Sequence, residues 1–553
     1  TFVRTMPGRG TIGFVSHSGA VCGGTMDWAS AVGVGFSRII SLGNQADVNI
    51  ADALVSLTAD PHTQVVAAYV EGVPEGQRFV EVAAEMTPHK PLVVLKAGRT
   101  PSGSRAVASH TGALAGADQA FLAACRRAGA VPVENLEQLV DAAIALAHRK
   151  PPQGRNIAIL TNAGGPSAVG ADALDRMGLR LVDLSPETQD RLRAVAPRGA
   201  MVGNPVDMLG GPSPDQYGEA LKVLLDAPEV DGVMVVFVPQ AITPPHDVAV
   251  AVGRVAETAE KPVVCCISGG GGIRAAARAL HAHDVPHYLT PARAALGLAT
   301  LWRYRQIQER EAPAPTATAE APPERARELI QAALDAGDEV LDAQAGAEVA
   351  AAYGLTVPPS DLAKAADEAV ALAEEIGYPV ALKRVAPGVV HKADVGGIAL
   401  GLDSADAVRA AFEGMIEPGE RGMVQRMAPA GREVIVGAQR DPQFGPLLMF
   451  GMGGIYVEVL EDVAFRLAPL NAAEAREMMA ETAAGQLLEG VRGQPPGDTT
   501  AVVEMLIQVG RLMVDLPQVA EVDLNPLIVG PAGEGAWAVD VRILLDPPAA
   551  TAP

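Results

Sequence analysis

Thr11-Ile12-Gly13-Phe14-Val15, followed at once by Ser16-His17-Ser18-Gly19-Ala20, is the stretch on which the fold is decided. A short apolar run, a turn of small residues and an Ala/Gly-rich run from about Val21 read as strand, tight turn and helix. Unpaired N–H groups at the start of such a helix, favoured by the helix dipole, make an anion site. The plainer reading is a βα turn with serine as the helix cap. The pattern recurs: Arg155–Leu160 reads as a second strand, and Thr161-Asn162-Ala163-Gly164-Gly165-Pro166-Ser167-Ala168 as a second small-residue turn. Two such turns, each opening an α/β stretch, are more informative than one.

Strand signals continue between and after them. Val65–Val70 ends at Glu71-Gly72, Pro91–Lys96 ends at Ala97-Gly98-Arg99, and Gly232–Val238 and Pro262–Ile267 follow in the second stretch. In open α/β sheets functional groups gather at the carboxyl ends of strands. That rule puts the Ser16–Ala20 turn, Glu71 and the segment after Lys96 on one edge. The segment contains Ala108-Ser109-His110-Thr111-Gly112-Ala113-Leu114-Ala115-Gly116, a histidine among small residues. A lone loop histidine is usually unremarkable. Between two phosphate-type turns it reads as a phosphoryl carrier, because imidazole is nucleophilic at neutral pH and its phosphorylated form is a good donor. Glu71 beside it would orient the ring. Asn204-Pro205-Val206-Asp207 reads as a constrained loop, and Gly269–Gly272 lacks the spacing of a dinucleotide fingerprint.

Composition narrows the function classes. The 553 residues suit about two to four domains. Hydrophobic residues make up 49% and aromatics 4%, and the net charge is -22. So acidic a chain does not suit nucleic acid or an anionic membrane surface. Cys22, Cys125, Cys265 and Cys266 have no zinc-ligand spacing, which points to buried thiols in a reducing cytoplasm. No apolar run approaches a membrane span, and residues 1–10 hold no signal-peptide core. The first strand starts so early that a preceding domain, or a separate subunit, is expected to complete the assembly.

Residues 311–323, a Pro/Ala stretch, read as a tether. Beyond it Ala366, Ala369, Val370, Ala373 and Ile376 form a helical face that Gly377 ends. Val380-Ala381-Leu382-Lys383 is then a strand ending on a lysine, followed by the Gly-containing loop Val390–Ile398, which reads as a lid over phosphates. Val424-Gln425-Arg426, Arg432–Gly437 and Phe450-Gly451-Met452-Gly453-Gly454-Ile455 follow, the last a turn able to offer N–H groups to phosphate. Glu521-Val522-Asp523-Leu524-Asn525 and Ala538-Val539-Asp540 supply hard oxygen donors on neighbouring strands, suited to magnesium. Lys383, the glycine turn, Asn525 and Asp540 together point to a nucleotide site.

These motifs, in this order, resemble the NDP-forming (ADP-forming) acyl-CoA synthetases, relatives of succinyl-CoA synthetase. SHSGA at 16–20, YVEGV at 69–73, SHTGALAG at 109–116, TNAGGPSA at 161–168, NPVD at 204–207, HKADVGG at 391–397, FGMGGIYVE at 450–458 and EVDLNPL at 521–527 carry the resemblance, which spans nearly the whole chain. It implies an α/β protein: two succinyl-CoA-synthetase-like flavodoxin-type domains (1–149 and 150–310), the linker 311–323 and an ATP-grasp domain (324–553). The family's N-terminal CoA-binding Rossmann-like domain is expected to be absent from this chain.

The resemblance also implies roles. His110 is the phosphorylated histidine and Glu71 the carboxylate that steadies it. Ser18, Gly19, Asn162, Gly164 and Gly165 bind phosphate at the paired helix starts. Lys383, Gln425, Glu433, Gly453 and Gly454 bind the nucleotide, and Asn525 and Asp540 hold magnesium. Asp523 stands where relatives have glutamate, so its ligand role is weaker. His391 resembles a second phosphoryl relay. ATP/ADP, Mg2+ and CoA are the implied ligands, with a small carboxylic acid or its acyl-CoA as substrate, and a homodimer or larger oligomer is expected. Two rival classes share the scaffold: the regulatory module of a protein lysine acetyltransferase, and a non-catalytic acyl-CoA or nucleotide sensor.

Overall fold

A computed structural model describes residues 6–100, 102, 118–148, 150–240, 243–269, 273–310, 321–385, 397–454, 462–491 and 493–546. The chain divides into two compact units, one running to residue 310 apart from 119–123, the other comprising 119–123 and the chain from 311 onward.

The first unit contains two parallel sheets. β1 (Arg9–Ser16), β2 (Phe36–Ser41), β3 (Val65–Val70), β4 (Leu92–Lys96) and β5 (Val131–Val133) lie in the order β2-β1-β3-β4-β5. The central strand β3, VVAAYV, is buried along nearly its whole length because helices cover both faces. β6 (Asn156–Thr161), β7 (Arg180–Leu181), β8 (Val206–Asp207), β9 (Gly232–Phe237), β10 (Val263–Ile267) and β11 (His287–Tyr288) form the second sheet, in the order β11-β10-β9-β6-β7. Its strands repeat the first order, with β6 in the place of β1 and β9 in that of β3. The place of β2 is shared: β7 pairs with the start of β6 and β8 with its end. Asn204 fills the gap between them. Its Oδ1 accepts from the Ile159 N–H, and its Nδ2 donates to Ile157 O and Val182 O, each at 2.9 Å. The constrained NPVD loop is thus a side-chain substitute for strand pairing.

Helix Pro291–Glu309 joins the two sheets. Ala294, Ala295 and Leu298 pack into the core of the second, Leu301 and Tyr304 into that of the first. Arg293 on this helix forms a two-pronged ion pair with Asp141, at 2.6 and 2.7 Å, and Asp141 is only 1% exposed.

The second unit holds two antiparallel sheets. β12 (Ser360–Ala363), β13 (Val380–Val385), β14 (Ile398–Leu402) and β15 (Arg421–Arg426) lie in the order β12-β15-β13-β14, with helices Ala366–Ile376 and Ala405–Met415 packed on them. β16 (Arg432–Asp441), β17 (Gly445–Met452), β18 (Val463–Leu467), β19 (Val519–Val529), β20 (Ala536–Ala538) and β21 (Val541–Leu545) form the larger sheet, in the order β18-β17-β16-β19-β20 with β21 also on β19. Helix Thr499–Asp515 buries Val502, Leu506, Val509 and Met513 in its core. Among the described residues no helix is long and apolar enough to cross a membrane, and all four cysteines are free and buried.

Candidate active site

The order β2-β1-β3 makes a crevice at the carboxyl ends of β1 and β3, where connections leave the sheet in opposite directions. The turn after β1 is held by Ser16, whose hydroxyl accepts from the Ser18 N–H at 3.1 Å and donates to Ser18 O at 2.9 Å. Ser18 caps helix Gly19–Val32 through the Val21 N–H. Gly19 and Ala20, the first helical residues, are exposed, so their N–H groups face outward to a ligand.

His17, between the two serines, reaches across the crevice. Its Nδ1 accepts from the Glu71 N–H at 3.0 Å, and its own N–H donates to Tyr69 O at 3.1 Å. Gln45 Nε2 donates to Gly72 O at 3.3 Å and stands 3.4 Å from His17 Nδ1. Burial lowers the His17 ring to about 4, so it is neutral at pH 7. Glu71 is 9% exposed, and burial first, then the Glu71 carboxylate, raises the Tyr69 hydroxyl. Along the same edge an open cavity of about 360 Å³ is lined by Tyr69, Lys96, Arg99, Thr100, Glu134 and Asn135. Arg99 holds Asp118 through two hydrogen bonds, at 2.7 and 3.0 Å, which ties together the two ends of the chain flanking residues 103–117. His110 lies outside the described residues.

The second turn copies the first. The Thr161 hydroxyl accepts from the Ala163 N–H at 3.0 Å and donates to Ala163 O at 3.1 Å. Helix Gly164–Arg176 has no side-chain cap, so the exposed N–H groups of Gly164 and Gly165 are available to an anion. The side chain of Asn162 is committed elsewhere, clamping Val238 with two 2.9 Å hydrogen bonds. What this turn can offer phosphate is therefore backbone.

In the second unit Lys383 is 5% exposed and its Nζ donates to Val539 O, with Asp540 Oδ1 4.0 Å away. Gln425 pairs with Ala381 on the neighbouring strand, which puts its side chain on the face that carries Lys383. Glu433 and the glycine turn form one local structure. Gly453 lies so close to β16 that a Cβ would sit 2.7 Å from the Val434 backbone, and Gly454, at φ +73°, faces the Glu433 carboxylate. Alternation along β19 puts Glu521, Asp523 and Asn525 on one face. The Asn525 carbonyl oxygen accepts from the Gly454 N–H at 3.2 Å and keeps a second lone pair. His391 lies outside the described residues.

Asp523 gives the clearest sign of a cation. Its Oδ1 is buried without a hydrogen-bond partner among the described residues. Burial first, then the charges of Glu521 and Asp540, push the carboxyl up to about 6. Among the described residues no three His, Cys, Asp or Glu side chains gather around one point. Two carboxylates and an amide oxygen nevertheless fit magnesium, which takes few protein ligands and completes its shell with water and phosphate. The resemblance leaves Asp523 a weaker ligand role, and no role is read for His17 from the sequence. The only signal for either was a polar residue at a position that strand alternation and turn geometry turn inward.

Two parallel sheets with anion-type turns are thus followed by a buried lysine and a row of acidic residues on antiparallel sheets. Residues 9–146 match the succinyl-CoA ligase like flavodoxin domain, 157–307 the ligase-CoA domain and 332–545 an ATP-grasp domain. The chain is 41% identical to acetate–CoA ligase [ADP-forming] I of Archaeoglobus fulgidus, over 99% of this chain and 79% of that one. It is 33% identical to 4-hydroxybutyrate–CoA ligase [ADP-forming] of Nitrosopumilus maritimus, over 98% and 79%. Among solved structures, the dinucleotide forming acetyl-coenzyme A synthetase 1 of Ca. Korarchaeum cryptofilum, in complex with phosphate and ADP, matches with a TM-score of 0.53 and 32% identity over 56% of this chain and 68% of that chain. The chain belongs to the ADP-forming acyl-CoA ligase family and is an ADP-forming acid–CoA ligase.

Proposed function

We propose that the chain interconverts acyl-CoA, ADP and phosphate with a carboxylic acid, CoA and ATP, through an acyl phosphate and a phosphohistidine at His110. The observation that carries this reading is the β1/β3 crevice, where the exposed helix start at Gly19, the buried His17 and the buried Glu71 share the edge from which the chain leads into the His110 segment. The domain bounds of this reading are 1–149, 150–310 and 324–553.

In the acyl-CoA direction a phosphate oxygen attacks the thioester carbonyl, and the carbon–sulfur bond breaks to release CoA. His110 then attacks phosphorus. A P–N bond forms, the bond from phosphorus to the acyl oxygen breaks, and the carboxylate leaves. Helix starts at Gly19 and Gly164 stabilise the transferring charge, and the Glu71 carboxylate stabilises the cationic phosphorylated ring. Finally a β-phosphate oxygen of ADP takes the phosphoryl group beside Lys383, restoring free His110. Asp523, Asn525 and Asp540 would hold magnesium, which neutralises nucleotide phosphate charge when bound. Gln425, Glu433, Gly453 and Gly454 shape the nucleotide site, and His391 is a candidate relay. A reactive acyl phosphate and a nucleotide need different dry sites, so a covalent carrier joins them.

The acyl group stays open, since the relatives named act on acetate and 4-hydroxybutyrate. ATP formation from acyl-CoA, ADP and phosphate tests the proposal, with His110→Ala and Glu71→Gln beside the parent. Loss of turnover in His110→Ala is expected, with a fall of roughly a hundredfold in Glu71→Gln. Appreciable ATP formation by His110→Ala overturns the reading.

A further inference from the structure

Glu71 stands one residue beyond the end of β3. A carboxylate there keeps a fixed direction only if the chain around it is pinned. The fold supplies a pin on each side, from the two neighbouring strand ends. After β1, His17 Nδ1 accepts from the Glu71 N–H at 3.0 Å. After β2, Gln45 Nε2 donates to Gly72 O at 3.3 Å and stands 3.4 Å from His17 Nδ1, so the two pins are neighbours.

Gln45 holds this place under strain. Its φ is +55°, in the left-handed region that residues with a Cβ avoid. Two residues earlier Gly43 takes φ +59°, a shape that glycine adopts freely. A turn that needed only its shape at residue 45 would be served by glycine in the same way. What glutamine adds is the side chain, and both ends of its amide are engaged. Oε1 accepts from the Ile50 N–H at 3.1 Å while Nε2 is on Gly72 O. Helix Ile50–Ala59 does not depend on that first bond for its start. Asn49 caps it by accepting from the Ala51 and Asp52 N–H groups, and Asp52 accepts in return from the Asn49 N–H. Ile50 therefore serves as the anchor that turns the amide nitrogen toward Gly72. Strained residues persist where their surroundings hold them for a function.

We propose that Gln45 is a positioning residue for Glu71. Anchored at the start of helix Ile50–Ala59, its amide fixes the Gly72 carbonyl, and with it the direction from which the Glu71 carboxylate meets phosphorylated His110. The inference rests on the ligase reading above and adds to it a residue that acts through Glu71 without touching the phosphoryl group. A carboxylate held in advance needs no reorganisation when positive charge appears on the ring.

The test is the equilibrium between the full chain and Mg-ATP, read by intact mass as the ratio of phosphorylated to free chain at a fixed ratio of ATP to ADP. Gln45→Gly and Gln45→Met are each made in the parent and in a Glu71→Gln chain. Glycine removes the amide and the strain together, whereas methionine removes the amide and keeps length and strain. In the parent each is expected to lower the phosphorylated ratio about tenfold. In the Glu71→Gln chain, whose ratio is already lowered, each is expected to change it by less than about twofold, because the carboxylate through which Gln45 acts is gone. Gln45→Gly is expected to melt within about 4 °C of the parent, relief of strain offsetting the lost hydrogen bonds. A ratio within about twofold of the parent in either folded variant overturns the proposal. So does an equal fall with and without the Glu71 carboxylate, or failure of both variants to fold, because each makes Gln45 a residue of its own loop. Glu71→Gln at the parental ratio removes Glu71 as the steadying carboxylate and overturns the proposal with it. A phosphorylated parent whose ratio ignores Gln45 overturns this inference alone, whereas a parent that takes no phosphoryl group overturns the ligase reading as well.

Discussion

Lys383 is a lysine that the fold keeps out of water. It lies on β13 at 5% exposure, with a carbonyl from Val539 and the Asp540 carboxylate near its ammonium. A buried ammonium is costly unless paired, so a strand end that keeps one has a use for its charge. Lys383→Met fills the same space without the charge. Phosphorylation of the chain by Mg-ATP is expected to slow by roughly a hundredfold, with the melting temperature little changed. Labelling at the parental rate would remove Lys383 from the nucleotide site. At this scale the sequence was most legible where chemistry lies within one short stretch. Ser16, Ser18 and Gly19, or Gly453 and Gly454, announce a turn by adjacency. His17 was illegible because its partner, Glu71, is 54 positions away. Asp523 was legible as an oxygen donor, but its isolation was not, because that comes from burial and from Glu521 and Asp540, which only the folded sheet assembles.

Helix Pro291–Glu309 shows what elements add to residues. Its first half belongs to the core of one sheet and its second half to that of the other, so the two flavodoxin-like halves are not independent bodies. Arg293 fastens it to Asp141 and also meets Glu137 at 2.7 Å. Removing either member is not equivalent. Arg293→Met leaves a buried carboxylate with no cation and is expected to cost about 3–5 kcal/mol in chemical denaturation. Asp141→Ala leaves Arg293 with Glu137 as partner and is expected to cost less. Equal costs would mean that the pair adds little beyond packing. The strands themselves were readable from their apolar runs, β3 and β9 above all. The sharing of this helix was not, because apolar residues of one helix do not say which of two sheets they will meet. Nor was the edge of the second sheet, where the Asn204 side chain does the work of a missing strand segment.

Across the whole molecule the buried histidines set the response to acid. Burial holds His17, His148 and His287 at about 4, against about 6.5 in an unfolded chain. Between those values the unfolded chain binds more protons than the folded one, so stability rises with pH and falls as pH drops below about 6.5. Each ring contributes up to about 1.4 kcal/mol per pH unit in that window. Asp523, pushed up to about 6, and Asp141, raised by burial, work in the opposite direction against the three rings. The melting temperature is expected to fall steadily from pH 7 to pH 5. A flat or rising profile would mean that these rings open to water at little cost.

The proposed reaction needs one covalent carrier between acyl phosphate and nucleotide. The most direct test is the intact-protein mass after incubation with Mg-ATP, for the parent and His110→Ala. One acid-labile phosphoryl group is expected on the parent, discharged by ADP, and none on the variant. A parent that binds ATP yet gains no phosphoryl mass, or a His110→Ala chain that gains it equally, would contradict the carrier.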